Sequence, residues 1–207
     1  MLRMAVRPSR GLTLIELMVA LTLVAILAVL AAPSFSTWLQ STRIRGTAEA
    51  ILTGLQTARS EATSRNVQVR FQLTNTLGSD CAWATDGQNW VIDIVDGAAA
   101  DSPEGACDSA KSDTVAPSIL FTRSASDGSA TNVTVEASNA TMTFNGLGRP
   151  VGFPAGGFEI RINGRDASEC RENGGDLTCL RIQVAAAGQV RMCNPMYPVG
   201  DQQSCQE

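Results

Sequence analysis

The stretch that decides the fold lies near the amino terminus, where residues 9–32 read SRGLTLIELMVALTLVAILAVLAA. Residues 12–32 carry a single charge, that of Glu16, and residues 1–11 contain three arginines and no acidic residue. As a helix, residues 12–32 would be about 31 Å long, close to the hydrocarbon core of a bilayer. The pattern predicts a membrane-spanning helix. The basic residues before it predict that the rest of the chain lies on the side away from the cytoplasm.

An ordinary secretory signal explains this stretch less well. The apolar run exceeds the roughly 7 to 15 residues of a signal-peptide core, and a carboxylate at its fifth position costs on the order of 3 kcal/mol in lipid. A signal anchor with an incidental glutamate is the other alternative, and it leaves that cost without compensation. Some other interaction should therefore offset the cost of Glu16.

Residues 9–17, SRGLTLIEL, resemble the class III signal of type IV prepilins and type II secretion pseudopilins. The resemblance implies that a prepilin peptidase cuts between Gly11 and Leu12, and that the new amino terminus on Leu12 is N-methylated. It also implies that Glu16 meets the positive amino terminus of a neighbouring subunit during assembly. The family most often has phenylalanine after the cut, and Leu12 departs from that pattern.

The sequence after the apolar run predicts that the helix continues to Arg65. Pro33 falls where many helices of this family have a proline, and it predicts a kink. Beyond it, apolar residues recur at three- and four-residue spacings, which indicates an amphipathic helix. The apolar stripe comprises Trp38, Ala48, Ile51, Leu52, Leu55, Ala58 and Ala62. Four arginines are expected off this stripe, on a solvated face: Arg43, Arg45, Arg59 and Arg65.

Residues 66–207 predict a β-rich periplasmic head. Short apolar or alternating runs predict strands at 67–73, 90–95, 119–122, 133–135, 142–144, 158–162, 180–184 and 190–192. Segments rich in glycine, alanine, serine and aspartate predict loops at 74–89, 96–118 and 123–131. The expected fold class is α+β and pilin-like, with a helix over 12–65 packed on a mainly antiparallel sheet. Residues 1–11 would be the leader and 12–32 the span.

Six cysteines lie in the predicted head, and none of them forms a C-x-x-C pair. An oxidising compartment beyond the membrane favours disulfides over a zinc or thioredoxin-like site. We favour pairing of Cys81 with Cys107, which would close the long excursion around the second strand. The sequence leaves open whether the other four pair locally or crosswise: Cys170, Cys179, Cys193 and Cys205.

The composition excludes several enzyme classes. The chain has no histidine. By itself it therefore cannot form a Ser-His-Asp or Cys-His catalytic site or a metal site with histidine ligands. Its acidic residues show no spacing typical of a paired acid and base or of a calcium loop. We predict no enzyme activity, no cofactor and no metal site.

Two glycine-containing stretches indicate which subgroup of this family the chain resembles. FNGLGRPVG at 144–152 and LRIQVAAAGQVRMCNP at 180–195 resemble the GspH/FimT group of minor pilins and pseudopilins. Some members bind DNA through a G-R-x-R turn, but here that turn reads Gly188-Gln189-Val190-Arg191 and lacks the first arginine. Removing three leader arginines from 16 basic residues leaves 13 against 20 acidic ones, a formal charge of −7. DNA binding through Arg191 is therefore disfavoured.

The resemblance implies a filament subunit whose partners are major and minor pilins or pseudopilins, the prepilin peptidase and methyltransferase, and the inner membrane. We predict a minor pilin of a type IV pilus that primes assembly or forms the tip complex, because residues 185–195 are FimU-like. A GspH-like pseudopilin of a type II secretion system and a DNA-binding minor pilin for natural transformation are the alternatives. The expected location is the bacterial inner membrane, with one span and a periplasmic head, and then a pilus tip or periplasmic pseudopilus.

Overall fold

The structure, a computed structural model, describes residues 11, 13–95, 102–124 and 132–206, without the side chains of residues 30–33. The chain divides into two compact units, Met1–Thr37 and Trp38–Glu207. A single helix, α1, runs from Leu14 to Arg65 and contributes to both units. Its last residue is the one predicted from the sequence.

In the first unit, the described apolar side chains of α1 are exposed, from Leu14 at 76% to Val29 at 74%. Within the described residues, no single helix is long and apolar enough to cross a membrane. The segments Leu14–Val29 and Ser34–Arg65, joined at a bend, are long and apolar enough when taken together. Pro33 lies among the residues whose side chains are not described. The kink at Pro33 and the span over 12–32 therefore stay predictions.

In the second unit, α1 buries one face against the strands. The buried residues follow one another in steps of four and three, which keeps them on one side of a helix. They are Ile44, Ala48, Ile51, Leu55, Ala58 and Ala62. This arrangement confirms that the helix packs on the β-structure through its apolar stripe.

Three residues of α1 depart from the predicted pattern. Trp38, assigned to the stripe, is 61% exposed, and Leu52 is only partly buried at the edge of the core. Arg59, assigned to the solvated face, is half-buried and donates from Nε to the carbonyl oxygen of Gly148 at 3.1 Å. Helical periodicity finds the buried face, but it does not show where another segment crosses the edge of that face.

The described residues contain nine strands: β1 Val69–Thr74, β2 Asn89–Ile94, β3 Ile119–Arg123, β4 Thr134–Ala137, β5 Thr141–Phe144, β6 Pro150–Val151, β7 Phe158–Asn163, β8 Leu180–Val184 and β9 Val190–Cys193. They form two sheets, ordered β3-β2-β1-β5-β6 and β4-β7-β8-β9. All described strand pairs are antiparallel, so the predicted α+β class is confirmed. The prediction missed β6, because two residues that include a proline show no alternation.

Alternate residues of the strands form the core against α1. Val69, Phe71 and Leu73 of β1 are fully buried, as expected for one face of a pleated strand. The Phe71 ring lies 5.8 Å from the Trp90 ring, centroid to centroid. A Cβ atom at Gly54 of α1 would come within 2.8 Å of the Phe71 ring. The missing side chain at Gly54 therefore lets the first sheet approach the helix closely.

All six cysteines form disulfides. Cys81 pairs with Cys107, the pair that the sequence favoured. The other four pair locally, Cys170 with Cys179 and Cys193 with Cys205. The first disulfide belongs to a small second core over the face of the first sheet that points away from α1, together with Val91 and Ile119. The last one joins the carboxy-terminal tail to β9.

The same outer face of the first sheet holds a buried ion pair between β1 and β2. Arg70 Nη2 lies 2.6 Å from Asp93 Oδ2, Arg70 Nε lies 3.2 Å from Oδ1, and only 1% of the Asp93 side chain is exposed. The guanidinium carbon of Arg70 lies 5.1 Å from the centroid of the Trp83 ring, a cation–π geometry. Burial raises the pKa of Asp93 above its ordinary value, and the hydrogen bonds and charge of Arg70 oppose that rise without cancelling it.

The two glycine-containing stretches singled out in the sequence meet in space. Gly148 and Gly188 both have positive φ, +70° and +86°, and each lies in a tight turn closed by its own N–H. A Cβ atom at Gly188 would overlap the carbonyl oxygen of Gly148, the same oxygen that accepts the hydrogen bond from Arg59. The β5–β6 turn thus lies between α1 and the β8–β9 turn and joins the two sheets to the helix.

We expect Gly188→Ala to destabilise the head by about 1–2 kcal/mol for the positive φ and by about 1–3 kcal/mol more for displacing the Gly148 backbone. Gly152→Ala is the matched control, since Gly152 has φ +62° but nothing lies within 4 Å of an added Cβ. Gly152→Ala should show only the loss of stability that comes from the positive φ. Urea unfolding of the detergent-solubilised chain, followed by tryptophan fluorescence, measures both. Equal losses would contradict the close approach of the two turns.

We expect Arg70→Leu to lower the free energy of unfolding by about 3–5 kcal/mol at neutral pH, because it leaves a buried carboxylate unpaired. A carboxyl group whose pKa is raised on folding binds more protons when folded, so its contribution to stability falls as pH rises through that pKa. The loss should therefore be smaller at about pH 5 than at about pH 7.5. The double variant Arg70→Leu/Asp93→Asn should lose this pH dependence. A pH-independent loss in the single variant would show that the ionisation of Asp93 is not the cause.

Candidate assembly site

The candidate assembly residue, Glu16, lies in the first turn of α1. Its Oε2 atom accepts hydrogen bonds from the backbone N–H and the hydroxyl of Thr13, each at 3.4 Å. In return, Thr13 Oγ1 accepts from the backbone N–H of Glu16 at 3.3 Å. This reciprocal pattern is a capping box, in which an N-cap threonine and a glutamate three residues later satisfy free backbone donors.

The capping box adds Thr13 to the site, a residue that the sequence reading missed. The signal was present, since Thr13-Leu14-Ile15-Glu16 fits the S/T-x-x-E signature of a helix start. The box orients the carboxylate at the amino-terminal end of α1, where the helix dipole favours negative charge. Since an ionised carboxylate offers about four acceptor positions, Glu16 can accept further hydrogen bonds from a positive group while the box stays closed.

The surroundings of Glu16 within the first unit are apolar and exposed. Ile15 is 72% exposed and Leu17 52%, and Glu16 is the single charge in residues 12–32. A carboxylate on an exposed apolar helix is suited to contact with another apolar helix that brings a cation. Such a contact would shield the ion pair from water and strengthen it.

The structure places the predicted processing site only in part. Gly11 is exposed, and a Cβ atom there would meet nothing within 4 Å. Leu12 and residues 1–10 lie outside the described residues. Cleavage between Gly11 and Leu12 and methylation of Leu12 therefore stay predictions.

The predicted DNA contact, Arg191, lies on β9 and donates to Gln183 Oε1 at 3.0 Å. On the same sheet, Arg161 and Arg181 face each other across β7 and β8. Glu159 bridges these two arginines, with Oε1 at 2.9 Å from Arg161 and 3.6 Å from Arg181. Arg181 also contacts Glu172 Oε2 at 2.7 Å. Carboxylates thus neutralise the charge of Arg161 and Arg181.

The titration of Glu159 reflects the same network. Partial burial acts to raise the pKa of Glu159, but hydrogen bonds from Arg161 and Gln183 and the charge of Arg181 outweigh it and hold the pKa below its ordinary value. Glu159 therefore stays ionised at neutral pH and keeps its ion pairs with Arg161 and Arg181. Within the described ranges, no group of three or more histidine, cysteine, aspartate or glutamate side chains is arranged to hold a metal ion.

Residues 47–188, more than half of the chain, match the family model described as type II transport protein GspH. The chain belongs to the GspH family. A second model, the prokaryotic N-terminal methylation motif, matches residues 6–32. The class III signal and the GspH/FimT resemblance read from the sequence are therefore confirmed, and the chain is a minor pilin or pseudopilin of this family. The GspH family provides structural filament subunits rather than enzymes.

Two solved structures are similar to this GspH-family chain. Both are crystal structures of the type IV minor pilin FimU from Pseudomonas aeruginosa strain PAO1, each 18% identical and covering 78% of this chain. The match to the first structure covers 94% of that FimU chain with a TM-score of 0.49. The match to the second covers 98% of that FimU chain with a TM-score of 0.44. No curated protein matches the chain significantly.

Proposed function

We propose that this GspH-family chain is a minor pilin of a type IV pilus, a non-catalytic subunit that primes filament assembly or forms the tip complex. The observation that carries the proposal is the position of Glu16. It is the single charge in residues 12–32, whose described apolar side chains are exposed, and it lies inside the matched methylation motif at residues 6–32. That position suits a residue that recognises the amino terminus of a neighbouring subunit.

The proposed step couples processing to assembly. Cleavage between Gly11 and Leu12 removes three arginines and creates a free α-amino group on Leu12, which can carry a positive charge to Glu16 of a neighbour. In the membrane, an unpaired Glu16 costs on the order of 3 kcal/mol. Its bonds to Thr13 offset part of that cost within one subunit. Pairing with the amino terminus of a neighbour on Leu12 offsets the remainder and sets the axial register between subunits.

The proposed location is the inner membrane, with residues 12–32 as the span, a bend at Pro33 and the head in the periplasm. The three arginines before the apolar run support this orientation. Three disulfides in the head support an oxidising compartment. The partners proposed are other minor and major pilins, and the prepilin peptidase and methyltransferase that process the chain.

A pseudopilin of a type II secretion system is the second candidate, favoured by the description of the matched family. The FimU-like stretch at 185–195 favours the pilus instead. A deletion strain separates the two. Loss of surface pili with intact export of secreted proteins supports the pilus, whereas lost export with intact pili supports the secretion system. DNA binding stays a disfavoured alternative, because Glu159 and Glu172 neutralise arginines of the sheet that carries Arg191.

We expect Glu16→Gln to be processed normally but to be depleted about tenfold or more from sheared filaments, since losing 1.4 kcal/mol of docking free energy corresponds to a factor of ten. The measurement is quantitative blotting of the sheared and membrane fractions, with intact mass and amino-terminal sequencing of the membrane form. Glu49→Gln is the matched control. Glu49 is a half-exposed glutamate of α1 that pairs with Arg45, and a surface pair contributes about 0–1 kcal/mol.

Three outcomes bear on the proposal. An amino terminus at Leu12 that depends on prepilin peptidase, with loss of only the Glu16 variant, supports it. Normal incorporation of Glu16→Gln would remove the assembly role of Glu16. Cleavage near Ala32, or no cleavage at all, would contradict the proposed entry into a pilus-type pathway.

A further inference from the structure

An open cavity of about 540 Å³ lies in the second unit, between residues 38–45 of α1 and the carboxy-terminal tail. The apolar part of its lining comprises Trp38, Leu180, Met192 and Tyr197. Among the described residues that line it, Arg45 is the only charged one, and Glu49 pairs with Arg45 at 3.0 Å. The cavity therefore offers an apolar side chain a place that is free of unbalanced charge.

An apolar side chain protrudes from the β5–β6 turn. Leu147 at the tip of this turn is 78% exposed. The turn is held in shape by Asn145, whose Oδ1 atom accepts hydrogen bonds from the backbone N–H groups of Leu147 and Arg149, each at 3.0 Å. The carbonyl oxygen of Asn145 also accepts the N–H of Gly148 at 2.8 Å. Because the turn is already ordered, little conformational entropy is lost when Leu147 enters a partner.

The turn and the cavity lie at opposite ends of the β8–β9 hairpin. Leu180 and Met192, at the open end of the hairpin, line the cavity, whereas its closed end contacts the β5–β6 turn at Gly148. Along α1, the cavity reaches Thr42 and the turn contacts Arg59, a separation of about 26 Å in a helix. A second head shifted by about this distance along α1 would bring its turn to the cavity of the first.

Exposed side chains beside the turn and beside the cavity carry opposite charges. Arg149 follows the tip of the turn and is exposed, and Asp201 is exposed on the tail segment between Tyr197 and Gln203, which both line the cavity. Within the ranges that the structure describes, neither Arg149 nor Asp201 takes part in an ion pair. Such complementary charges fix the orientation in which two surfaces meet.

We propose that the cavity receives the β5–β6 turn of a second copy of this chain. Leu147 of one copy enters between α1 and the tail of the next, and its Arg149 pairs with Asp201 at the rim. The two copies contribute different surfaces, so the contact is heterologous and repeats into an open filament instead of closing a dimer. The inference rests on the proposed filament role and deepens it by naming a neighbour, which requires more than one copy in each filament.

The test is photocrosslinking in cells that produce the full chain with two different tags. A photoreactive phenylalanine derivative replaces Leu147 in the first tagged chain, and in a second protein it replaces Tyr197. After irradiation, species that carry both tags are isolated and their crosslinked peptides are sequenced by mass spectrometry. We expect position 147 to react with peptides that contain Met192 or Tyr197, and position 197 to react with the turn. The probe at Val115, which is 65% exposed and lies outside both surfaces, should not join two copies.

A charge exchange tests the orientation. Arg149→Glu in the chain that carries the probe at position 147 should lower the yield of this crosslink about tenfold, because it sets two acidic groups against each other. Asp201→Arg in the other tagged chain should restore the yield. Lys111→Glu is the matched control, since Lys111 is an exposed cation outside the turn and the cavity, and it should leave the yield unchanged.

The outcomes separate this contact from the proposed function, since the sheared filaments and the membranes of the same cells are analysed together. A chain that reaches filaments but gives no crosslink between the turn and the cavity overturns the contact and leaves the function intact. Crosslinks of the turn to a different subunit overturn docking between copies. A yield that Asp201→Arg does not restore overturns the charge pair. Crosslinked copies in membranes, with none of the chain in filaments, support the contact and contradict the function, whereas absence of both overturns both.

Discussion

The head is organised by one face of α1, against which both sheets bury their apolar sides. The steps of four and three from Ile44 to Ala62 place a continuous apolar stripe on the helix. Each large side chain that this stripe buries contributes roughly 1.5–3 kcal/mol relative to exposure. In the part of the chain that the structure describes, no other α-helix packs on either sheet, so removal of this face would leave both sheets without their shared main core. The strands, the disulfides and the tail are arranged around it.

The position of the glycine turns follows from that constraint. The two sheets share one helix, and the β5–β6 turn of the first sheet lies between Arg59 of that helix and the β8–β9 turn of the second sheet. The approach of the Gly148 backbone accounts for the glycine at 188, whereas the glycine at 148 suits its positive φ and the nearby side chains of Thr63 and Arg59. The stretches that resemble a family motif therefore have a structural role, and this role does not require them to bind a ligand.

The helix meets two different environments along its length. In the head the apolar stripe from Ile44 to Ala62 is buried, whereas in the first unit the described apolar side chains are exposed and carry a single carboxylate. The capping box with Thr13 stabilises that carboxylate locally, and a proposed neighbouring amino terminus completes its pairing. A polymerising subunit needs this combination, since its helix must be tolerated in lipid and still gain stability on meeting another copy.

The sequence alone determined the α+β class, the end of α1 at Arg65, eight of the nine described strands and the family, because these depend on local periodicity and on short motifs. Only the tertiary structure decided the pairing of the last four cysteines, the contact of Arg59 with Gly148 and the exposure of Trp38. These features depend on where distant segments return to the helix. Residue spacing shows which way a side chain points on its own element, but it carries no information about the segment that arrives from elsewhere in the chain.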